Sequence, residues 1–197
     1  MADPGYIDPA TGVLTDGEAW VGLNTTTLGS DTATVTFKSG FDDTDTDVGG
    51  VQAWDQYMDL VVIQYCQSDT EQNSRIQFNN DTASNYTLQE LYGDGANDAA
   101  YAYGTAYILC GYIPRVADGA NDFGCNITHI FDINSGKYKS TLSQFAADKD
   151  GSGYVGMTAC TWKSQAAITE LDIYPHTGDF KTGSMFSLFG VLPRMVA

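Results

Sequence analysis

The sequence predicts an all-β protein, an antiparallel β-sandwich of jelly-roll type with an extended N-terminal arm. About nine segments alternate apolar and polar residues or form short apolar runs, and turns rich in Gly, Asn and Asp separate them at close spacing. No segment has the pattern of a long amphipathic helix. Charged residues make up only 17% of the chain, whereas Gly and Tyr number 21 and 12, a composition that favours strands and turns.

The C-terminal region shows the strand pattern most clearly. Leu171 and Ile173 alternate with the acidic residues beside them, as in a strand with one buried face. After a turn rich in Pro, Gly and Asp, residues 183–191 carry large side chains on both faces. We therefore expect this last strand to be covered on both sides, by another sheet or by another subunit.

The remaining strands are predicted from the same two patterns. They lie at residues 33–38, 58–66, 75–78, 101–113, 126–133, 138–145, 154–162 and 167–174. Residues 58–66 are the most apolar and are expected to be buried on both faces. Residues 87–90 fit either a strand or a short helical turn, because Thr87 and Glu90 match a capping box while nearby glycines would end a helix early.

Two of these strands carry distinctive faces. Residues 101–113 form one long predicted strand ended by Pro114; its apolar face holds Tyr101, Tyr103, Tyr107 and Leu109. In the strand at 126–133, an apolar face is formed by Ile127, His129, Phe131 and Ile133. His129 is therefore interpreted as a core or interface histidine.

The domain organisation is an arm followed by one domain. In residues 1–30, Pro, Gly and Thr interrupt any periodicity, so the segment is predicted to be loop-like, with Tyr6 and Trp20 as aromatic anchors. Residues 31–197 show no linker or internal repeat and are assigned to one jelly-roll domain.

The charge balance excludes several functions. Nine basic residues stand against 25 acidic ones, a net charge of −16, which opposes binding to nucleic acid or to an anionic membrane. A secretory signal needs a positively charged start followed by an apolar core, and the first thirty residues have neither. No run approaches the roughly 20 apolar residues of a membrane helix. We expect synthesis in a cytoplasm.

Asp148, Asp150 and Ser152 place oxygen donors at alternate positions before a glycine, as in the first half of an EF-hand calcium loop. The position that requires a bidentate Glu is Ala159, so a plain hairpin turn is the favoured interpretation.

A second acidic segment contains Asp43, Asp45 and Asp47. Such clustered carboxylates suit a hard cation, although a solvated acidic loop is the favoured interpretation. We assign no metal and no cofactor, and both sets of residues remain candidates only.

No constellation of catalytic residues is recognisable. The two histidines, His129 and His176, have no nucleophile motif associated with them, and no Gly-rich phosphate loop occurs. The four cysteines are far apart and are interpreted as reduced, buried residues. The chain is predicted not to be an enzyme, although two distant carboxylates of a glycosidase would leave no sequence signal.

Two stretches carry more specific motifs. In residues 75–86, RIQFNNDTASNY, a strand runs into the pattern F-N-x-D-x-x-x-N-Y, and a Gly-rich loop follows. Residues 180–190, FKTGSMFSLFG, match an ending F-x-x-G-S-x-F-S-L-Y-G, with Phe189 where Tyr is usual. Both patterns resemble those of virion proteins of tailed bacteriophages, and the resemblance extends over residues 55–191.

The resemblance implies a jelly-roll subunit of the phage particle, with no catalytic residue to carry over. Its expected place is the capsid surface, as a decoration or cement protein that binds the major capsid protein shell and stabilises it. We expect a homotrimer or another small closed oligomer. The residues predicted to contact other copies or the capsid are Met185, Phe186, Leu188, Phe189, Tyr6 and Trp20. The alternatives are a tail-fibre or receptor-binding module that recognises a host surface glycan, and a polysaccharide depolymerase.

Overall fold

The computed structural model describes residues 20–40, 53–70 and 73–192. In these residues, twelve strands form two antiparallel sheets packed together, so the predicted all-β antiparallel sandwich is confirmed. The strands are β1 (Trp20–Thr27), β2 (Val35–Lys38), β3 (Asp59–Cys66), β4 (Asn73–Phe78), β5 (Tyr86–Gly93), β6 (Asp98–Thr105), β7 (Ile108–Tyr112), β8 (Gly124–Phe131), β9 (Lys139–Asp148), β10 (Gly153–Trp162), β11 (Glu170–Pro175) and β12 (Met185–Val191).

The two sheets differ in size. The large sheet has eight strands in the order β1-β12-β3-β8-β9-β10-β5-β6, and the small sheet has four in the order β2-β11-β4-β7. Their facing sides bury alternate residues of each strand, as β9 does at every second position from Lys139 to Ala147. The core between the sheets includes Phe37, Leu60, Ile76, Phe78, Ile108, Leu171, Ile173, Phe186 and Leu188.

A tight corner joins β4 to β5. Asn79 and Asn80 have positive φ angles of 52° and 56°, a conformation that Asn adopts more readily than most residues. The Tyr86 hydroxyl donates to the carbonyl of Asp81 at 3.1 Å and accepts from the backbone N–H of Phe78 at 3.1 Å. Hydrogen bonds from these motif residues therefore fix the turn.

The C-terminal strands agree with the prediction only in part. In β11, Leu171 and Ile173 are buried while Glu170 and Asp172 are partly exposed, as expected. Of the two covers expected for the outward face of the last strand, another sheet of this chain is absent among the described strands, and cover by another subunit stays a prediction. β12 lies between β1 and β3, buries one face, and leaves Met185 on the opposite face 39% exposed.

The prediction of loop-like structure is wrong for residues 20–27. This segment is strand β1, which pairs with β12 from Trp20 opposite Val191 to Thr27 opposite Met185. Its threonines and asparagine suit an edge strand, although their composition hid the pattern of alternation. Residues 1–19 of the predicted arm lie outside the described residues.

The single long strand predicted at 101–113 is two strands in different sheets. β6 is an edge strand of the large sheet, and β7 is an edge strand of the small one. The chain crosses between the sheets at Ala106 and Tyr107, and the Ala106 carbonyl accepts a hydrogen bond from Gln77 Nε2 at 3.0 Å. Apolar and small residues alternate with period 2 through this corner, so the pattern does not indicate a break between two strands.

Two other expectations are resolved by the sheet. Residues 86–93 form strand β5, so the strand interpretation of 87–90 is correct. In β8, however, the face with Ile127 and Phe131 points away from the core, and these side chains are 45% and 37% exposed.

In the described part of the chain, there is no helix with the length and hydropathy needed to cross a bilayer.

Candidate protein-binding face

The candidate site is the side of the large sheet that points away from the core, called the outer face here. Seven of the eight strands, all but β6, contribute large apolar side chains to it. Its exposed or partly exposed apolar residues are Trp20, Ile63, Tyr65, Leu91, Ile127, Phe131, Leu142, Val155, Met157, Met185 and Phe189.

The centre of the outer face is a row of side chains across five neighbouring strands that is apolar except at Gln144. Ile63 lies opposite Ile127, Ile127 opposite Gln144, and Gln144 opposite Met157, which in turn pairs with Leu91. Met157 and Leu91 are 44% and 54% exposed. Exposed apolar residues are ordinary singly, but a contiguous patch of them marks an interaction site.

The outer face is also nearly free of charge. Among the outward residues of the eight described strands, the Asp59 carboxylate is hydrogen-bonded to the His129 ring, and Asp98 and Asp148 lie at strand ends. A face with so few charges is unusual for a chain whose net charge is −16. Charge is depleted where a protein surface becomes the core of an interface.

The size of the outer face matches that of a stable interface. Strands spaced about 4.8 Å apart and rising about 3.3 Å per residue give roughly 900 Å² for eight strands and seven residues. Specific protein complexes bury about 800 Å² per partner. The face can therefore supply a complete binding surface by itself.

An aromatic cluster around His129 lies on the outer face between β8 and the edge strand β1. The ring stacks on Phe131, with centroids 4.0 Å apart, and meets Trp20 edge-on at 6.5 Å. His129 Nε2 lies 2.9 Å from Asp59 Oδ2, and the other Asp59 oxygen accepts from the backbone N–H of Asp132 at 2.7 Å. The predicted core or interface histidine thus lies on the surface, oriented by a carboxylate and covered by two rings.

The exposed side of the small sheet has the opposite character. Lys38 Nζ lies 3.6 Å from Glu170 Oε1, and Thr36 donates to Asp172 at 2.7 Å. Burial raises the pKa of Asp172 above its ordinary value. The guanidinium of Arg75 lies 3.9 Å from the centre of the Tyr107 ring. Charged groups thus lie on one side of the sandwich, and the other side combines large apolar residues with uncharged polar ones.

The predicted interface residues fall into three groups. Met185, Phe189 and Trp20 lie on the outer face, with Trp20 and Phe189 in contact at 6.3 Å between ring centroids. Phe186 and Leu188 are fully buried in the core, so their prediction as interface residues is wrong. They point inward because side chains alternate along a strand. Tyr6 lies outside the described residues.

The first set of metal candidates forms an ordinary hairpin turn. Asp150 and Gly151 both have positive φ, and Lys149 N–H donates to the Ser152 carbonyl at 2.7 Å. The Asp148 carboxylate accepts from the Gly151 N–H, so it serves the turn. This geometry is that of a two-residue β-hairpin. Asp43, Asp45 and Asp47 lie outside the described residues, and no group of three metal-binding side chains occurs in the described segments.

The four cysteines divide by burial. Cys66, Cys110 and Cys160 are buried, whereas Cys125 is exposed on the outer face, opposite Tyr65 and Ala146. Burial raises the pKa of the Cys66 and Cys160 thiols and raises that of Cys110 to about 12. The expectation of buried thiols is correct for three of them, and Cys125 is a natural probe of the outer face.

The sequence did not reveal most residues of this face. Leu142, Val155 and Met157 were placed in strands, but a single strand pattern does not say which side meets the other sheet. The available signal was the scarcity of charge on both sides of the strands that became β8, β9 and β10. That scarcity predicts two covered faces, whereas the fold covers one.

A scan against known protein families and a search of the curated proteins found no match for this chain.

Proposed function

We propose that the chain is a structural protein of a tailed-bacteriophage particle. In this proposal it has jelly-roll connectivity and acts as a decoration protein that binds the outside of the shell built by the major capsid protein. The observation that carries the proposal is the outer face, which is apolar and almost uncharged on a strongly acidic molecule. Large contiguous apolar patches are rare on the surfaces of soluble monomers and mark interaction sites. This face therefore favours permanent attachment to another protein.

The two sides of the sandwich suit a subunit that is attached on one side only. The outer face removes apolar area from water when it meets the shell, and the rigid sheet brings many side chains into contact at once. The charged side of the small sheet, with Lys38, Glu170 and Asp172, then faces solvent and keeps the particle soluble.

The motif resemblance supports the same proposal through the fold. In the ending F-x-x-G-S-x-F-S-L-F-G, Phe180 contacts Phe186 at 4.7 Å between ring centroids. The Ser184 hydroxyl accepts from the Gln67 N–H at 3.2 Å. Gly183 has a positive φ of 88°. These residues shape the sandwich and perform no chemistry, as expected for a structural protein.

Shell binding tests the proposal with a matched pair of variants. Val155 is 65% exposed on the outer face, and Val116 is 39% exposed in the loop after β7. On purified shells that lack the chain, we expect saturable binding of the wild-type protein. Val155→Glu should weaken binding at least about tenfold because it buries an unpaired charge, whereas Val116→Glu should not. Equal binding by both variants contradicts attachment through the outer face.

The proposal keeps the association of copies that the sequence predicts. The resemblance to decoration proteins predicts a homotrimer or another small closed oligomer that buries part of residues 183–192. Since β12 is an internal strand of the large sheet, only its outward half, including Met185 and Phe189, is available to another chain. The number of copies is decided by sedimentation of the purified protein.

A second candidate function is supported by a pair of exposed tyrosines. Tyr101 and Tyr103 point to the same side of edge strand β6 and are 50% and 44% exposed. Exposed aromatic rings stack on sugars, so these residues favour a tail-fibre or receptor-binding module for a host glycan. Binding of the purified chain to host polysaccharide that is lost in Tyr103→Ala would support this candidate over the decoration protein.

A further inference from the structure

The free edge of the large sheet is strand β6. It pairs with β5 over eight consecutive residues, from Asp98 opposite Gly93 to Thr105 opposite Tyr86, without a register shift. Its other side has no partner among the described strands. Five of its residues, from Ala100 to Gly104, are exposed. An edge strand of this kind presents a row of unpaired backbone N–H and C=O groups.

The other three sheet edges carry features that hinder pairing. β1 has a register shift between Gly22 and Asn24. The pairing of β7 is shifted between Ser74 and Arg75. β2 has only four residues and ends at Lys38. Short edges, bulges and lysines are the usual protection of a sheet edge. β6 has none of these, and its one charged residue is Asp98 at its start.

We propose that β6 pairs antiparallel with β6 of a second copy about a two-fold axis. The two large sheets then form one continuous sheet through backbone hydrogen bonds, as in β-strand addition. A two-fold contact uses the same surface twice and closes on itself, so it yields a dimer.

The register follows from the side chains. Centring the axis on Ala102 places Ala102 opposite its own copy and Tyr101 opposite Tyr103 of the second copy. This register leaves Asp98 of each chain outside the paired region, which matters because like charges opposite each other destabilise a sheet. On one side the small residues Ala100, Ala102 and Gly104 keep the surface flat, and on the other side the tyrosines form aromatic cross-strand pairs.

The pairing extends the outer face. Ala100 and Ala102 point to the same side as Leu91 and Gln89, with which they are in register. The outer faces of two copies therefore become one surface of sixteen strands, twice the eight of a single chain. A dimer attached through this surface contacts the shell at two places at once, which increases its apparent affinity.

Molar mass across a concentration series tests the pairing first. Sedimentation of the full chain should give a monomer of 21.2 kDa at low concentration and twice that mass at high concentration. A monomer at every concentration up to the millimolar range, or a particle of three times the chain mass, overturns the proposal. The result is independent of shell binding, so failure of the proposed function leaves it interpretable.

Two lysine variants locate the contact. Ala102 and Ala159 lie on either side of Gln89 in one row of the outer face, and both are exposed. Ala102→Lys should raise the dimer dissociation constant at least about tenfold, because two lysines face each other at the axis. Ala159→Lys carries the same charge on an internal strand and should dimerise like the wild type. Equal dimerisation by both variants overturns the proposal.

Hydrogen exchange identifies the strand directly and does not depend on a variant. Amide exchange in residues 98–105 should slow as the protein concentration rises, whereas exchange in β1 should stay constant. Ala102→Lys should abolish that concentration dependence with an unchanged circular dichroism spectrum and melting temperature. Slowing confined to β12 or β8 would show that copies associate through the outer face and would overturn pairing through β6.

Discussion

The carboxylate of Asp81 accepts a hydrogen bond of 2.7 Å from the indole N–H of Trp162. This bond ties the corner after β4 to the end of β10, so it links the two sheets. Asp81 is partly desolvated there, but hydrogen bonds from Asn85, Trp162 and the Ala83 N–H outweigh that effect and lower its pKa. The Asp of the F-N-x-D-x-x-x-N-Y motif is thus a structural residue.

A double-mutant cycle measures this bond. Asp81→Ala should lower the free energy of unfolding by about 1–2 kcal/mol, and Trp162→Phe, which keeps a ring but loses the N–H, by a similar amount. Urea denaturation of both single variants and of the double variant gives the coupling. We expect the double variant to lose less than the sum of the two. Full additivity would mean that the bond contributes nothing.

Acid titration gives a second readout of the same residue. Because the pKa of Asp81 is lowered in the folded protein, its carboxylate stabilises the fold above its ordinary pKa of 3.8. That contribution is lost as the pH falls through the lowered value. The stability difference between wild type and Asp81→Asn should therefore be present at pH 7 and shrink below about pH 4. A difference that is constant from pH 7 to pH 2 contradicts this role.

Glu90 should respond to pH in the opposite direction. It is 5% exposed, its Oε1 has no partner in the described structure, and burial raises its pKa. The folded protein therefore holds this proton more tightly, and stability falls as the pH rises from the ordinary value through the raised one. Glu90→Gln should raise the melting temperature at pH 7 by about 2–4 °C.

The control for Glu90 is the glutamate of β11, which is partly exposed. Glu170 is paired with Lys38 and accepts from Asn80 Nδ2 at 2.8 Å, so Glu170→Gln should leave the melting temperature unchanged or lower it slightly. At pH 4, Glu90→Gln and the wild type should melt together. A lower melting temperature for Glu90→Gln at pH 7 would show that the carboxylate has a stabilising partner.

Gly190 should tolerate no side chain. A Cβ atom at this position would lie 2.5 Å from the Tyr57 ring. Gly190 is buried in β12, and Tyr57, which precedes β3, is buried in the core. Gly190→Ala should lower the free energy of unfolding by about 1–3 kcal/mol because the ring is packed and has little room to move. Gly22→Ala is the matched control, since its Cβ would meet only a ring atom 3.9 Å away. Chemical denaturation that gives equal stability for the two variants contradicts the packing of β12.

The cysteines should report occupancy of the outer face. In the native chain we expect one rapidly reacting thiol, Cys125, and four thiols in denaturant, because the other three are buried. Attachment to shells should protect Cys125, whereas pairing through β6 should not, since β8 lies four strands away. Colorimetric thiol titration of free and shell-bound protein measures this. Unchanged reactivity of Cys125 on the shell would place the contact elsewhere.

The sequence predicted the sandwich and most strands because alternation is a local property of the chain. β11 is the clearest example, with Leu171 and Ile173 inward as expected. Sheet membership is decided by distant partners, so one pattern through residues 101–113 concealed a crossing between sheets. The polar strand β1 was missed because an edge strand needs little apolar alternation.

The candidate face could be predicted only in part. Met185, Phe189 and Trp20 were expected at an interface and lie on the outer face. Phe186 and Leu188 were assigned with them because the sequence shows that a segment is apolar but not which side another sheet already covers. The corner residues Asp81 and Trp162 are 81 positions apart, and only the fold brings them together.

Counting the chain in purified particles by quantitative mass spectrometry, relative to the major capsid protein, tests the central claim most directly. A decoration protein predicts hundreds of copies per particle, in a fixed ratio to the shell subunit. A few tens of copies would instead place the chain in the tail, and its absence from the particle would contradict a structural role there.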